Sequence, residues 1–410
     1  MPRFGRLLSA LDGVACSTGI GQVRLGAGEL LDHALNAAHR SAFRDRSFLP
    51  ALGVLLDAYE QEAQLNVFGA HAAKWDVLRC LSNLLRFDAE EEQDPGVLAE
   101  PIEAPIFITG LPRAGTTLLH SLLAEDAMLL VPRCWQTMSP YPGGGRDARR
   151  QRVESQLRMF QRLAPEIASL HALSADAPQE CTEITAQVFQ SVRYEATHRV
   201  PSYQRWLDSH GHLAAYRFHK RFLQHLQHQS RALPWVLKCP DHIHALKAID
   251  AVYPDARFVF FHRDPLHVIA SASKLTEVLR RPFTRKIDKG EIGRQVTARV
   301  REAAEVMISR SRATSERILH IHYLSFSRNP LGTVEQFYSH FGMQISEATR
   351  GRIAAHLVSA RTPKNRYDMN EFGLEPSELC RQFMPYVEQF GVARELAAWN
   401  TASAHASLAA

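Results

Sequence analysis

The chain of 410 residues is 45% hydrophobic and 22% charged, with a formal net charge of +5. This composition excludes a disordered or fibrous protein, and the charge is too small to predict nucleic acid or an anionic membrane as a partner. The six cysteines lie apart, without paired or metal-ligating spacing, so neither a disulfide framework nor a zinc site is expected.

The first part of the chain is predicted to be helical. The stretches "LLDHALNAAHRSA" (30–42) and "FLPALGVLLDAYEQEAQL" (48–65) carry apolar residues at three- and four-residue spacing, with charged residues between them. The polar run "DAEEEQDPG" (88–96) indicates a linker. We therefore predict a helical segment over residues 1–98 that packs on the core of a second domain, residues 99–410.

Short apolar runs alternate with helical stretches from about residue 105. The runs are "APIFIT" (104–109), "PWVLK" (234–238), "ARFVFF" (256–261) and "RILHIHY" (317–323). This alternation is typical of a mostly parallel sheet covered by helices. The predicted fold class is α/β, and no stretch approaches the ~20 apolar residues of a membrane span.

The segment "ITGLPRAGTTLLHSLL" (108–123) joins the first predicted strand to a helix. Gly110 and Gly115 have the G-x-x-x-x-G spacing of a Walker A loop, in which backbone N–H groups and a helix dipole bind phosphate. Thr116 stands where the Walker lysine would be, and the nearest cation is Arg113, within the loop. The loop is therefore expected to bind one terminal phosphate, and it lacks the usual residues for a magnesium–nucleoside triphosphate.

A second set of polar residues follows the next two predicted strands. Lys238 ends one strand, and Arg263 follows the other, directly before Asp264 and Pro265, a pair typical of a helix start. Ser271 comes eight residues after Arg263, about two turns into that helix. Because open α/β sheets bind ligands at the carboxyl ends of their strands, Arg263 and Ser271 are predicted to bind a second phosphate. Taken alone, Arg263 would equally suit a salt bridge to a neighbouring acid.

These stretches together resemble a known enzyme family. "GLPRAGTT", "LKCPDH", "DARFVFFHRDP" and the Arg263/Ser271 spacing are similar to those of sulfotransferases that use 3′-phosphoadenosine 5′-phosphosulfate (PAPS), in particular the bacterial branch with PRSGTT-like loops. "FLPALGVLLDAYEQEAQLN" and "RYDMNEFGLEP" resemble flanking segments of that branch, so the resemblance covers most of the chain. It implies a P-loop-NTPase-like sheet flanked by helices, and transfer of a sulfuryl group to a hydroxyl, or less often an amine, of a small molecule.

The resemblance also implies how the donor is bound. The first loop would bind the 5′-phosphosulfate, and Arg263 with Ser271 would bind the 3′-phosphate. Arg113 and Lys238 would stabilise the leaving phosphate as negative charge develops on it. The loop residues concerned are Arg113, Ala114, Gly115, Thr116 and Thr117. No metal is expected, because backbone amides and these side chains need no bridging cation.

Two residues are candidates for the general base. His242 matches the histidine of a family K-x-P-x-H pattern and would take the proton of the acceptor hydroxyl. Alternatively, His242 would be a surface or capping residue of the helix. His244, two residues later, is the other histidine that must be excluded as the base. Glu180 in "DAPQECTE" is the rival, since some sulfotransferases use a carboxylate and this segment resembles one on the acceptor side.

Three further residues are weaker candidates for donor binding. Tyr323 matches a family tyrosine that approaches the adenine, although Ser325 stands where an acidic residue is usual. Lys364 and Arg366 in "TPKNRYDMNEF" suit equally a contact with the 3′-phosphate and a role as solvated charges. The expected location is a reducing cytoplasm, and the sequence indicates neither the acceptor nor an oligomeric state.

Two other functions stay open. A kinase or other P-loop NTPase is disfavoured by Thr116 in place of lysine, and tighter binding of Mg-ATP than of adenosine 3′,5′-bisphosphate (PAP) would favour it. A non-catalytic protein would bind PAP and transfer nothing. The presence of Arg113, Lys238 and His242 argues against that function.

Overall fold

The computed structural model describes residues 23–142, 146–170, 173–311, 316–359 and 367–395. One sheet in these ranges has the strands β1 (Ile106–Gly110), β2 (Val236–Lys238), β3 (Arg257–His262) and β4 (Ile318–His322). Each strand coincides with one of the four apolar runs identified in the sequence. The predicted α/β class is confirmed.

The sheet is parallel throughout, with the strand order β2-β1-β3-β4. Within it, β1 has a neighbour on each side, because Ile106 pairs with Val236 of β2 and with Arg257 of β3. The carboxyl ends of all four strands therefore meet at one edge. In open α/β folds this is the edge where ligands bind.

Helices precede the sheet and cover both of its faces. They are α1 (Ala27–Ala37), α2 (Leu49–Gln61), α3 (Val67–Gln93), α4 (Thr116–Leu123), α5 (Cys134–Met138), α6 (Arg149–Leu163), α7 (Ile167–Leu170), α8 (Thr182–Thr185), α9 (Arg193–Thr197), α10 (Pro201–His210), α11 (Leu213–His228), α12 (Leu246–Val252), α13 (Pro265–Arg280), α14 (Lys289–Ser311), α15 (Tyr323–Arg328), α16 (Pro330–His340), α17 (Glu347–Ser359) and α18 (Pro376–Phe390). Shorter 3₁₀ turns span Pro95–Ala99, Ala186–Val188, Pro240–Ala245 and Asn370–Phe372. Within the described ranges, none of these helices combines the length and hydrophobicity that crossing a bilayer requires.

The two faces of the sheet bury alternate residues of each strand. On one face Ile106 and Ile108 pack in a cluster with Leu119 of α4, and on the other Phe107 packs in a cluster with Phe222 of α11. All five side chains are fully buried. A one-residue slip would exchange the side chains that face the two clusters, so packing on both faces favours the observed register, in which the strand ends meet at one edge.

The N-terminal helices pack on the α/β part of the chain. The cluster that contains Phe107 also contains Leu52 and Leu55 of α2 and Leu81 of α3. A continuous apolar cluster of this kind requires that the two parts pack directly against each other. The domain boundary between residues 98 and 99 stays a prediction.

The polar run at 88–96 is not a linker over most of its length, because α3 continues to Gln93. Asp88 and Glu91 are buried on this helix, and both are ion-paired with Arg221 of α11. The interpretation of this run as a linker was wrong because two of its acidic residues, Asp88 and Glu91, are paired with an arginine 133 and 130 positions away in the sequence.

Candidate active site

The loop after β1 lies close against β3. Gly110 has a φ of 117°, in the left-handed region that favours glycine, and a Cβ atom there would lie 2.5 Å from the backbone oxygen of Phe261. The N–H of Leu111 donates to the same oxygen at 3.2 Å. Gly110, the first glycine of the phosphate-loop pattern, is therefore also required because the end of β1 lies so close to Phe261 of β3.

The rest of the loop has the geometry of an anion site. Arg113 and Gly115 have positive φ values of 59° and 98°, and α4 begins directly afterwards at Thr116. In the described ranges, no backbone carbonyl accepts a hydrogen bond from the N–H groups of residues 113–117. Left-handed residues in such a turn direct successive N–H groups into one concavity, and the helix N-terminus adds partial positive charge. The loop therefore suits a phosphate or sulfate group.

Lys238, at the end of β2, connects this loop with a carboxylate. Its Nζ donates to Oγ1 of Thr117 at 3.1 Å and to Oε1 of Glu180 at 2.5 Å. The lysine side chain is 1% exposed, whereas that of Glu180 is 28% exposed. The backbone supports the pair, because the N–H of Cys181 donates to the carbonyl of Lys238 at 3.1 Å. A buried cation thus lies between the phosphate-type loop and an accessible carboxylate.

Arg263 and Ser271 lie against the same loop. Nε of Arg113 donates to Oγ of Ser271 at 3.0 Å, and Nη1 of Arg263 donates to the backbone carbonyl of Arg113. The guanidinium of Arg263 lies 3.7 Å from the ring centroid of Tyr323, the first residue after β4. The structure therefore brings these four predicted residues together at the carboxyl edge of the sheet.

Glu395 is a partner of Arg263 that no sequence motif indicated. Its Oε1 and Oε2 accept hydrogen bonds from Nε and Nη2 of Arg263 at 2.7 and 2.8 Å. The glutamate lies 132 residues after the arginine, in the segment that follows α18. The sequence indicated an acidic partner only in general terms, through the alternative that Arg263 forms a salt bridge with a neighbouring acid.

His242 lies in the core beside the site. It is 1% exposed, its Nδ1 shares a hydrogen bond with the hydroxyl of Tyr216, and its Nε2 is buried without a partner among the described residues. Its ring centroid lies 4.9 Å from that of Phe107. Burial, with the nearby His219 and Lys238, lowers the pKa of His242 well below its ordinary value. A buried imidazole with so low a pKa is a poor proton acceptor at neutral pH. The geometry does not favour His242 as base, and its role stays a prediction.

The remaining predicted residues belong to the loop or lie outside the described ranges. Ala114 and Thr116 are buried, so the loop offers their backbone groups, while Thr117 is exposed. Lys364 and Arg366 lie outside the described residues. Over the part of the chain that the structure describes, no group of three or more histidine, cysteine, aspartate or glutamate side chains is placed to hold a metal ion.

Comparison with family models gives a match to the model described as "Sulfotransferase family", over residues 105–347. The matched range includes the β1 loop, Glu180, Lys238, Arg263 and Ser271. It does not include Glu395.

Solved structures are similar over nearly the whole chain. The sulfotransferase STF9 from Mycobacterium avium superposes with a TM-score of 0.82 at 25% identity, over 91% of this chain and 98% of that chain. The sulfotransferase STF1 from Mycobacterium tuberculosis superposes with a TM-score of 0.78 at 29% identity, over 88% of this chain and 99% of that chain. Among curated proteins, the omega-hydroxy-beta-dihydromenaquinone-9 sulfotransferase Stf3 of Mycobacterium tuberculosis and Mycobacterium bovis is 25% identical in an alignment of 310 positions that covers 72% of this chain and 78% of that protein.

Proposed function

The chain belongs to the sulfotransferase family, and we propose that it transfers a sulfuryl group from PAPS to a hydroxyl, or an amine, of a small-molecule acceptor. The observation that carries this proposal is one contiguous site in which the β1 loop lies between Lys238 on one side and Ser271 with Arg263 on the other. Two cationic groups flanking one loop suit a ligand with two separate anionic groups. PAPS is such a ligand.

The residues present fit the donor. The N–H groups of the loop, with Thr117 and Lys238 beside them, suit the phosphosulfate, because donors fixed in place stabilise charge without reorganising. Arg263 and Ser271 suit the 3′-phosphate. We assign Arg113 to the 3′-phosphate together with these two residues, because its Nε contacts Ser271. These cations and N–H groups make a divalent metal unnecessary for donor binding.

We propose Glu180 as the general base. PAPS supplies a sulfuryl group activated by a phosphate leaving group, and the acceptor hydroxyl must lose its proton as it is sulfated. Glu180 has an accessible carboxylate and lies 2.5 Å from Lys238, the cation proposed for the leaving phosphate. His242 is the alternative, but its side chain is 1% exposed and its unpartnered Nε2 is buried, so an acceptor hydroxyl could not reach it in this conformation.

Tyr323 and the cysteines support two smaller proposals. The ring of Tyr323 lies beside Arg263 at the same edge, which suits contact with the adenine of the donor. The five cysteines of the described ranges are free thiols: Cys80, Cys134, Cys181, Cys239 and Cys380. Free thiols suit a reducing cytoplasm.

The acceptor is proposed only as a class. The curated relative Stf3 is named for action on an omega-hydroxy menaquinone derivative, a small molecule with a reactive hydroxyl. At 25% identity we carry over the reacting group and not the molecule. A hydroxyl-bearing small molecule is therefore the first acceptor to test, and amines are the second.

Transfer from radiolabelled PAPS tests the proposal directly. The purified chain is incubated in EDTA with labelled PAPS and a panel of alcohols, phenols and amines, including isoprenoid alcohols. We expect a labelled sulfate ester with at least one acceptor and a rate about 10²- to 10³-fold lower for Lys238→Met, because a cation near the leaving phosphate is lost. Lys247→Met, which removes an exposed lysine, serves as the control and retains the wild-type rate. Binding of PAP with no transfer to any acceptor would favour the non-catalytic alternative, and a preference for Mg-ATP would favour the kinase.

A further inference from the structure

Each of the three guanidinium nitrogen atoms of Arg263 donates a hydrogen bond within the protein. Nε and Nη2 donate to the two carboxylate oxygens of Glu395 at 2.7 and 2.8 Å, while Nη1 donates to the carbonyl of Arg113. One face of the guanidinium lies over the ring of Tyr323. A bidentate carboxylate is therefore bound at the residue that the proposed function assigns to the 3′-phosphate.

The segment after α18 holds this carboxylate in place. Gly391 ends the helix with a φ of 59°, and Val392 is buried. The N–H of Glu395 then donates to Oδ2 of Asp264 at 3.0 Å. Oδ1 of the same aspartate caps α13 by accepting from the N–H of Leu266 at 3.1 Å. Both the backbone and the side chain of Glu395 are thus anchored where α13 begins.

We propose that Glu395 is an internal competitor of the donor's 3′-phosphate and sets the affinity of the chain for PAPS and PAP, an inference that rests on the proposed function. In bidentate contacts a carboxylate and a phosphate use the same pair of N–H groups on a guanidinium, and two anions side by side repel each other. Binding of the 3′-phosphate to Nε and Nη2 of Arg263 therefore requires Glu395 to leave these two groups. The apparent affinity is then the intrinsic affinity multiplied by the fraction of molecules in which Arg263 is free of Glu395.

This competition depends on the 3′-phosphate. Adenosine 5′-phosphosulfate lacks that group, so it does not compete with Glu395 for Arg263. Neutralising Glu395 should therefore favour PAP over nucleotides without a 3′-phosphate. General removal of negative charge would instead favour every anionic nucleotide alike.

Calorimetric titrations separate these two effects. PAP and adenosine 5′-phosphosulfate are each titrated into wild type, Glu395→Gln and Glu388→Gln. The control removes an exposed carboxylate near the end of α18. For Glu395→Gln we expect PAP to bind roughly tenfold more tightly and adenosine 5′-phosphosulfate to stay within about twofold of wild type, because only the first ligand gains an open Arg263. Glu388→Gln should match wild type, and Glu395→Ala should change PAP binding in the same direction as Glu395→Gln.

Two outcomes would overturn the inference. Unchanged or weaker PAP binding by Glu395→Gln and Glu395→Ala would mean that the glutamate positions Arg263 and does not compete at it. Equal tightening for both nucleotides would mean a general effect of charge. Failure of the donor site on which the inference rests gives a different result, since PAP would then bind none of the proteins, wild type included.

Discussion

Lys238 is almost fully buried, and its ammonium group is satisfied by two oxygen atoms, Oγ1 of Thr117 and Oε1 of Glu180. A buried ammonium group requires such partners, because an unpaired charge in the interior is costly. Glu180 thus supplies a counter-charge to Lys238 next to the loop. The same contact holds the carboxylate beside the loop, where the proposed function requires the acceptor hydroxyl to bind.

Paired variants distinguish the two candidate bases. Glu180→Gln keeps a hydrogen-bonding group of the same size but cannot take a proton, and we expect turnover to fall by about 10²- to 10⁴-fold with PAP affinity within a few-fold of wild type. His242→Asn, checked for folding by its melting curve, should keep most of the turnover because the ring is buried. The reverse pattern, with activity lost in His242→Asn and kept in Glu180→Gln, would return the role to the histidine.

The sequence predicted some of these residues and missed others for a physical reason. Lys238, Arg263 and the β1 loop were predictable because each lies at the carboxyl end of a strand or directly after it, and all parallel strands end at one edge of a sheet. Glu395 was not, because its contact with Arg263 joins segments 132 residues apart. The burial of His242 was equally hidden, since it results from packing on Tyr216 and other core side chains.

The strands and the helices that flank them were predictable from local patterns, because short apolar runs indicate buried strands and apolar residues at three- and four-residue spacing indicate helices. The end of α3 was not predictable in this way, because its acidic residues are buried against Arg221.

Two helices also bury titratable residues against the sheet. On α4, Nε2 of His120 donates to the carbonyl of Val236 at 3.1 Å, and on α11, His219 shares a hydrogen bond with the hydroxyl of Tyr253 at 2.8 Å.

These helices should make the fold sensitive to acid. Burial lowers the pKa of His120 and of His219 to about 3, with Lys238 adding to the effect at His120. The unfolded chain, in which histidine has a pKa near 6.5, binds more protons than the folded chain between about pH 6.5 and pH 3. Stability is therefore complete above about pH 6.5 and is lost as the pH falls through that window.

The loss amounts to about 2 kcal/mol for each such histidine at pH 5, relative to pH 7.5. Urea denaturation at a series of pH values measures it. His120→Asn should show a shallower dependence on pH than wild type. Equal free energies of unfolding at pH 5 and pH 7.5 would contradict the burial of neutral histidines.

The shared fold extends beyond the part of the chain that the family model matches. That model covers residues 105–347, whereas the superposition on STF9 covers 91% of the chain. The N-terminal helices share one apolar cluster with the sheet, and the segment after α18 reaches Arg263. The flanking segments therefore contribute to the core and to the edge of the site.

Calorimetric titration of PAP into the chain in EDTA tests the proposed donor site without an acceptor. In this site, backbone N–H groups, Lys238, Arg263 and Ser271 are proposed to bind two anionic groups of one nucleotide without a metal. We predict saturable binding of one PAP per chain, weaker binding of Mg-ATP, and at least about tenfold weaker PAP binding by Arg263→Ala, since a charged bidentate donor is lost. PAP binding only in the presence of Mg²⁺, or tighter binding of Mg-ATP than of PAP, would contradict the account.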